Sequence, residues 1–336
     1  MQIIALNKDY TICDFLVPLN VQWSRQYYQA GAFSVQIPYN QYSDEMVYLY
    51  RKDRKELALI DKVNYTLDSA GTKTVQLSGN FIESELDDKL VYPEFLGAGT
   101  HADIVLTTMV KKYKADIPLL QVEEAKGFAT ATSFSANESG LATEVYRIAQ
   151  LHEMSFSVAY DYESNTKTFS MWQGLDRTQE QTQNQPVVFS TAFKNLINPD
   201  VVISKSLKNY AIIKGNYDGT DIYVVADASN GGYQKQTMID GSSIDSEDIT
   251  LAEYKAKLQQ YGFNTLLNEY VAVTNIAFDV DLESYEYMKD WDLGDKVTVI
   301  IEDINLVLEA RIISAYEVYK DNRLELSVEF GNQKIR

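Results

Sequence analysis

The sequence predicts an α+β, β-rich fold of antiparallel strands, on three observations. Strictly alternating apolar and polar residues recur from one end to the other, most clearly in Ala32-Phe33-Ser34-Val35-Gln36-Ile37 and in Arg323 to Phe330. Helical spacing is confined to three places, beginning near Ile104, Leu141 and Leu251. Tyr is over-used, with 24 copies against 13 Phe and 3 Trp, and a ring with a polar tip suits half-buried sheet faces and protein interfaces. A chain of 336 residues exceeds what one core covers, so two or three domains are expected.

Residues 1 to about 80 read as strands. Phe33, Val35 and Ile37 share a face and the run stops at Pro38. Val47-Tyr48-Leu49-Tyr50 and Leu57 to Val63 follow, separated by the charged turn at 51–56. Asp68-Ser69-Ala70-Gly71 then reads as a hairpin turn between Val63-Asn64-Tyr65-Thr66-Leu67 and Thr74-Val75-Gln76-Leu77.

From about 81 to 165 the period lengthens. Thr100-His101-Ala102-Asp103 resembles a capping box with Asp in place of Glu, opening a helix through Tyr113. Leu141, Val145, Ile148, Ala149 and His152 repeat at helical spacing, with a start signal in Ser135 to Glu138. The strands Ser155 to Tyr160 and Lys167 to Trp172 flank the turn Glu163-Ser164-Asn165. A helix followed by a hairpin predicts a small α+β domain.

After Gly174, the polar run Thr178 to Gln185 reads as an exposed connection. Val187 to Gly215 then divides the chain: one strand at Val187-Val188-Phe189, a change of direction at Asn198-Pro199, where proline cannot donate to a ladder, and new strands at Val201-Val202-Ile203 and Tyr210 to Ile213. Asn216 to Gly219 is a tight turn into Ile222 to Val225, and Asp227 to Asp248 reads as a long polar loop. Thr250-Leu251-Ala252-Glu253 is a capping box for a helix carrying Leu251, Tyr254 and Leu258, whose first part ends at Gly262. Strands follow at Lys296 to Ile301 and Arg311 to Tyr319, with a turn at Asp321-Asn322. In the last strand Leu324, Leu326, Val328 and Phe330 face one way and charged or polar residues the other.

The formal charge of −18 argues against a nucleic-acid-binding surface, which needs clustered Lys and Arg. The densest basic run, Arg51 to Lys55, is short and interrupted by Asp53. One cysteine, Cys13, excludes an internal disulfide framework. The N-terminus lacks the pattern of a signal peptide, and no uncharged apolar run is long enough for a membrane span; synthesis in a reducing host cytoplasm is expected.

With His101 and His152 as the only histidines, a histidine triad or multi-histidine metal site has little to draw on. His152 lies on the apolar stripe of its helix and reads as a half-buried residue; His101 reads as a helix-start residue. Two carboxylates suffice for a glycosidase, and the candidates are Asp279, Asp281, Glu283 and Glu286, or Glu83, Glu85, Asp87 and Asp88. In so acidic a chain these clusters read as solvated faces. Asp240, Asp245, Glu247 and Asp248 could ligate a hard cation, but their spacing departs from a calcium loop. No catalytic residue, cofactor or metal ligand is therefore expected.

Six pieces in order carry a resemblance: Gly31 to Pro38, Trp172-Gln173-Gly174-Leu175-Asp176-Arg177, Phe189-Ser190 with Asn195-Leu196, Lys208 to Gly215, Leu293-Gly294-Asp295-Lys296-Val297, and Phe330-Gly331. Together they resemble a family of tail proteins from siphophages and prophages, which look like relatives of the central baseplate hub of T-even phages. The resemblance runs from about residue 1 to 332. It implies two tube-type antiparallel β-barrel domains, each with an α+β insertion: a first barrel over 1–80, an α+β insertion over 81–185, a second barrel over 186–226 and 271–332, and a helix-and-loop insertion over 227–270. It further implies a structural protein at the virion tail tip, in a homo-oligomeric ring, commonly a trimer. The expected partners are the distal tail protein, the tail tube and the tape-measure protein, with DNA only in transit past acidic walls. Some relatives carry a C-terminal hydrolase or receptor-binding region, and this sequence stops at the second barrel. The alternatives are a cell-wall glycan hydrolase or adhesin, and the hub of a contractile bacteriocin or injection particle.

Overall fold

The computed structural model describes residues 2–128, 130–204, 208–246, 249–269, 273–320 and 323–334. Seven strands come first: β1 (Ile3–Leu6), β2 (Ile12–Leu16), β3 (Asn20–Gln26), β4 (Ala32–Pro38), β5 (Tyr48–Arg51), β6 (Leu57–Leu67) and β7 (Lys73–Phe81). A mixed segment follows: β8 (Phe95–Gly99), α1 (Ala102–Tyr113), β9 (Leu120–Val122), β10 (Thr132–Ala136), α2 (Leu141–Leu151), β11 (Ser155–Asp161) and β12 (Thr166–Trp172). The rest comprises β13 (Asp176–Arg177), β14 (Val188–Ser190), β15 (Leu196–Ser204), β16 (Tyr210–Tyr217), β17 (Thr220–Asp227), β18 (Gln236–Asp240), α3 (Leu251–Glu269), β19 (Val273–Val280), β20 (Lys296–Ile301), β21 (Leu306–Lys320) and β22 (Arg323–Lys334). The chain is thus α+β and β-rich, with few helices and several sheets.

It divides into two compact units, residues 1–199 with 277–331, and residues 200–276 with 332–336. The main sheet follows the order β15-β19-β22-β21-β3-β4-β7-β6-β5-β1-β2, with β20 on β21, and β13 and β14 parallel to β20. Its hydrogen-bonded path is open among the described residues. β21 is the shared strand: Leu306 to Arg311 pairs with β20, while Ser314 to Lys320 pairs with both β22 and β3.

The first unit has a core on each face of β1. Ile3 and Ala5 join Val21, Trp23, Phe33, Val35, Ile37, Leu77 and Phe81, while Ile4 and Leu6 join Leu106, Met109, Val145, Ile148, Phe156 and Phe169 of the mixed segment. All four β1 side chains are buried, which is why this strand is an unbroken apolar run without alternation. A third group of aromatic rings lies further along the sheet, where Phe189 contacts Phe278 and Trp291 at centroid distances of 5.3 and 5.5 Å, and Phe278 stacks on Phe330 at 5.2 Å.

In the second unit β16 lies between β17, antiparallel, and β18, parallel. The tight turn expected at Asn216 to Gly219 is present, with Asp218 and Gly219 both at positive φ. One face of this sheet packs Ala211, Ile213 and Ile239 against Tyr254 and Leu258 of α3. The capping box forms as read: the Thr250 backbone N–H donates to Glu253 Oε2 at 2.8 Å and the Glu253 N–H to Thr250 Oγ1 at 3.3 Å.

Several local expectations are corrected. α1 begins at Ala102 behind His101, with no side-chain cap; Asp103 instead accepts from the N–H groups of Lys126, Gly127 and Phe128 at 3.1, 2.8 and 3.3 Å. The start signal placed at Ser135 to Glu138 falls partly in β10, and α2 begins after Gly140. Its capping oxygen comes from another segment, Asp87 Oδ1, which accepts the Thr143 N–H at 2.9 Å. Gly262 does not end α3: the helix runs through it, and the position packs so closely that a side chain there would meet Ile213 Cδ1 at 2.3 Å. β15 continues through Asn198-Pro199, with Asn198 at φ 50° absorbing the irregularity. The polar stretch 227–248 contains β18. The turn at Asp321-Asn322 and the boundary at 270/271 lie outside the described residues.

Candidate functional site

Two of the sequence pieces that are far apart in the chain meet. β13 pairs with the start of β20, bringing Gly174 against Gly294 so closely that a Cβ on Gly174 would lie 1.9 Å from the Gly294 carbonyl oxygen. Gly294 itself has φ +85° and packs on the Tyr27 ring, a geometry that requires glycine. Asp295 ties the junction: its Oδ1 accepts the Leu175 N–H at 2.7 Å and its Oδ2 the Arg177 Nε–H at 2.8 Å. Arg311 donates to the Gly294 carbonyl at 2.5 Å and to Glu153 at 2.8 Å, with its guanidinium over Tyr27. In the third piece, Asn195 bridges backbone, accepting the Ser190 N–H at 2.8 Å and donating to the Val188 carbonyl at 2.9 Å.

A second set of contacts joins the two ends of the chain. Glu317 of β21, whose side chain is 1% exposed, accepts from Arg51 Nη2 at 3.1 Å and from Arg54 Nε and Nη2 at 2.9 and 2.7 Å. Arg51 lies over the Trp23 ring at 5.2 Å. β5 and β21 are five strand pairings apart in the sheet order, so this clamp requires the sheet to curl until its side chains meet. Beside it Arg25 bonds Glu56 at 2.5 Å, and Asp292 and the Tyr287 hydroxyl at 2.7 Å each. Sequence reasoning missed this cluster; the charged turn at 51–56 was its one visible trace.

The acidic candidates do not converge. Asp279 accepts from Asn198 at 2.9 Å and Ser327 at 2.5 Å. Asp281 accepts from Glu283 N–H and Ser284 Oγ within its own turn, and Glu286 pairs with Lys289 at 2.6 Å. Glu83 to Asp88 lie on a 3-10 turn that sends them to different places. Glu83 is buried, Glu85 pairs with buried Lys167 at 2.5 Å, Asp87 caps α2, and Asp88 is exposed. Asp240 caps its own turn through the Ser242 N–H, which with the Ser242 side chain holds its carboxyl below the ordinary range; Glu247 and Asp248 lie outside the described residues. His152 ends α2 and contacts Thr132 Oγ1 at 3.0 Å, with burial lowering its pKa; His101 precedes α1. Among the described residues no group of three or more His, Cys, Asp or Glu is placed to hold a metal ion, and no helix is long and apolar enough to cross a membrane.

Apolar side chains are exposed at both ends of the sheet path and elsewhere on the surface. β2, the last strand of the path, and the turn after it expose Ile12, Phe15 (50%) and Val17 (68%). At the opposite end Phe193 (63%) and Ile197 (42%) are exposed. Val63, Tyr65 and Leu67 of β6 are exposed as well, although Val63 and Tyr65 pair with the core residues Leu77 and Val75.

A profile of the family described as Siphovirus ReqiPepy6 Gp37-like protein matches residues 12–332. No curated protein sequence matches. Among solved structures the chain is similar to the 43 kDa tail protein of prophage MuSo2 from Shewanella oneidensis, with 15% identity over 98% of each chain and a TM-score of 0.59. It is also similar to a tail protein from Neisseria meningitidis MC58, with 12% identity over 99% of this chain and 96% of that one and a TM-score of 0.61. A third likeness is to prophage tail protein gp18 from Listeria monocytogenes EGD-e, with 11% identity, the same coverage and a TM-score of 0.53. At these identities the likeness is one of fold.

Proposed function

We propose, from the premise that the chain belongs to the Siphovirus ReqiPepy6 Gp37-like family, that it is a structural protein of a phage or prophage tail. In this reading it is the hub at the tail tip, a ring of copies that joins the tail tube to the distal tip and lets DNA pass. The strands of residues 1–80 and those of 186–226 and 271–332 would be two tube barrels, completed by neighbouring copies, with 81–185 and 227–270 as insertions. The distal tail protein, the tail tube and the tape-measure protein would be its neighbours.

The observation that carries the ring is the open sheet. A path that ends in exposed apolar strands at both ends invites addition of another chain, and two different edges on each copy make a head-to-tail contact, which closes into a ring when the rotation permits. A non-enzymatic reading is the better one, since the acidic candidates with described partners are spread over separate turns, caps, ion pairs and strand contacts instead of meeting in one site. Charges of one sign on the wall would let DNA slide without sticking.

An electron-microscopy reconstruction of the assembled tail end tests this. The expected result is a closed ring of copies around an acidic lumen; a peripheral single copy, or a basic lumen, would overturn it. Phe15→Glu and Ile197→Glu should each yield a folded protein that no longer enters the ring, and tails that incorporate both variants normally would remove the edge argument.

A further inference from the structure

A cavity of about 30 Å³ lies where the mixed segment meets the curled sheet, lined among others by Arg25, Gln29, Glu56, Glu83, Tyr146 and Ser157. Two carboxyl groups face it. Glu56 is 8% exposed and Glu83 6% exposed, and each has one oxygen, Oε2, that is buried without a hydrogen-bond partner among the described residues. Their other oxygens are used: Glu56 Oε1 pairs with Arg25 Nε at 2.5 Å, and Glu83 Oε1 accepts the Val158 N–H at 3.2 Å.

The charges around the cavity do not balance. Arg25 comes from β3 and is the one cation lining it; its guanidinium already serves Glu56 and the partly exposed Asp292. α2 contributes the Tyr146 ring, buried and with its hydroxyl held neutral by burial and by Glu83. Behind Arg25 stands Tyr287, also kept neutral by burial. β11 offers Ser157, β3 and the turn after it Gln26 and Gln29, and β12 Trp172, none of them charged. On the turn that carries Glu83, Glu85 is taken by Lys167 and Asp87 by α2. One guanidinium therefore faces two buried carboxyls, and two like charges in one buried site resist ionising together.

We propose that this cavity is a binding site for one proton, carried by Glu83 and donated toward Glu56 across the chamber, which has room for a single bridging water. Glu83 donates to that water and the water donates to Glu56, so both orphaned oxygens are satisfied and Glu56 stays the partner of Arg25. Losing the proton puts two carboxylates against each other and weakens the seam between the 82–88 turn, β11 and the curled sheet.

Burial pushes the Glu83 carboxyl from 4.5 up to about 7, with Glu56 adding to the rise while backbone N–H groups and Arg25 oppose it. A folded-state value above the unfolded one means the folded protein holds the proton more tightly. This contribution is complete below the unfolded value, declines as pH rises, and is gone above the folded value.

The test uses the whole chain with glutamate carboxyl carbons labelled for NMR. One glutamate should titrate near neutrality, vanish in Glu83→Gln, and move to lower pH in Glu56→Gln, which removes the neighbouring charge. In urea unfolding, the unfolding constant of the wild type relative to Glu83→Gln should rise roughly 100- to 300-fold between acid pH and alkaline pH. A wild type in which every glutamate titrates in the ordinary carboxylate range overturns the proposal, as does a Glu83→Gln variant with an unchanged pH slope. Should Glu83→Gln fail to fold, the wild-type titration and its shift in Glu56→Gln decide the question.

Discussion

Replacing Glu317 by Leu should destabilise the protein by about 3 kcal/mol, the lower end of the roughly 3–5 kcal/mol expected when one partner of a buried ion pair is removed. The structure sets that end of the range. Glu317 takes three N–H bonds from Arg51 and Arg54, whose side chains are 1% and 12% exposed. Without it, both guanidiniums must share Asp53, which is 52% exposed and bonds them at 2.8 and 3.1 Å. Arg51 would then be a buried cation with half a counter-charge, over a Trp23 ring that stabilises it by about 0.5–2 kcal/mol. Arg51→Met combined with Glu317→Leu removes both fully buried charges and leaves Arg54 matched to Asp53, so the double variant should return to within about 1 kcal/mol of wild type. Urea unfolding followed by tryptophan fluorescence reports directly on the clamp, because the Arg51 guanidinium sits 5.2 Å from the Trp23 ring. A Glu317→Leu protein as stable as wild type, or a double variant whose loss is the sum of the singles, would refute the reasoning.

Gly174→Ala should cost at least about 1–3 kcal/mol by overpacking, because its Cβ would meet Gly294 backbone that cannot swing aside; thermal unfolding measures it. Asp103→Ala should leave the amides of 126–128 unpaired at a cost of about 1–3 kcal/mol, with protease cleavage in that stretch at concentrations that spare the wild type. Thr250→Ala removes one side of the α3 capping box and should lower the stability of that helix by about 1 kcal/mol, seen as lost helical circular dichroism on mild heating. Hydrogen bonds from the Thr250 backbone and side chain hold the Glu253 carboxyl below its ordinary range, so its share of the cap is present at neutral pH and fades on acidification.

How much of this was legible depended on how far apart the interacting residues lie in the chain. Alternation revealed β4 and β22, whose side chains face one core and one wetter surface, and the Thr250–Glu253 box was legible because all its atoms lie within four residues. Asp103 had the right spacing for a cap but found three amides some 23 residues on, a competition that spacing cannot reveal. Gly262 resembled a helix stop, yet it is a contact point, since glycine serves close packing as readily as a turn. The cluster Glu83 to Asp88 read as one acidic face. On a 3-10 turn, with three residues per turn, Glu83 and Glu85 point to different sides, so the four carboxyls cannot form one site.

Several of the six sequence pieces lie where distant segments meet. Gly174 and Gly294 touch, Asp295 binds Leu175 and Arg177, and Asn195 holds β14; at these points segments distant in the chain are fastened together. Arg51 with Glu317, and Arg25 with Asp292, do the same for the two ends of the chain. Such residues constrain a frame. Apolar side chains are also exposed at the two ends of the sheet path, Phe15 and Val17 at one end and Phe193 and Ile197 at the other. An exposed edge can be extended by another chain, which is the contact that the proposed ring needs.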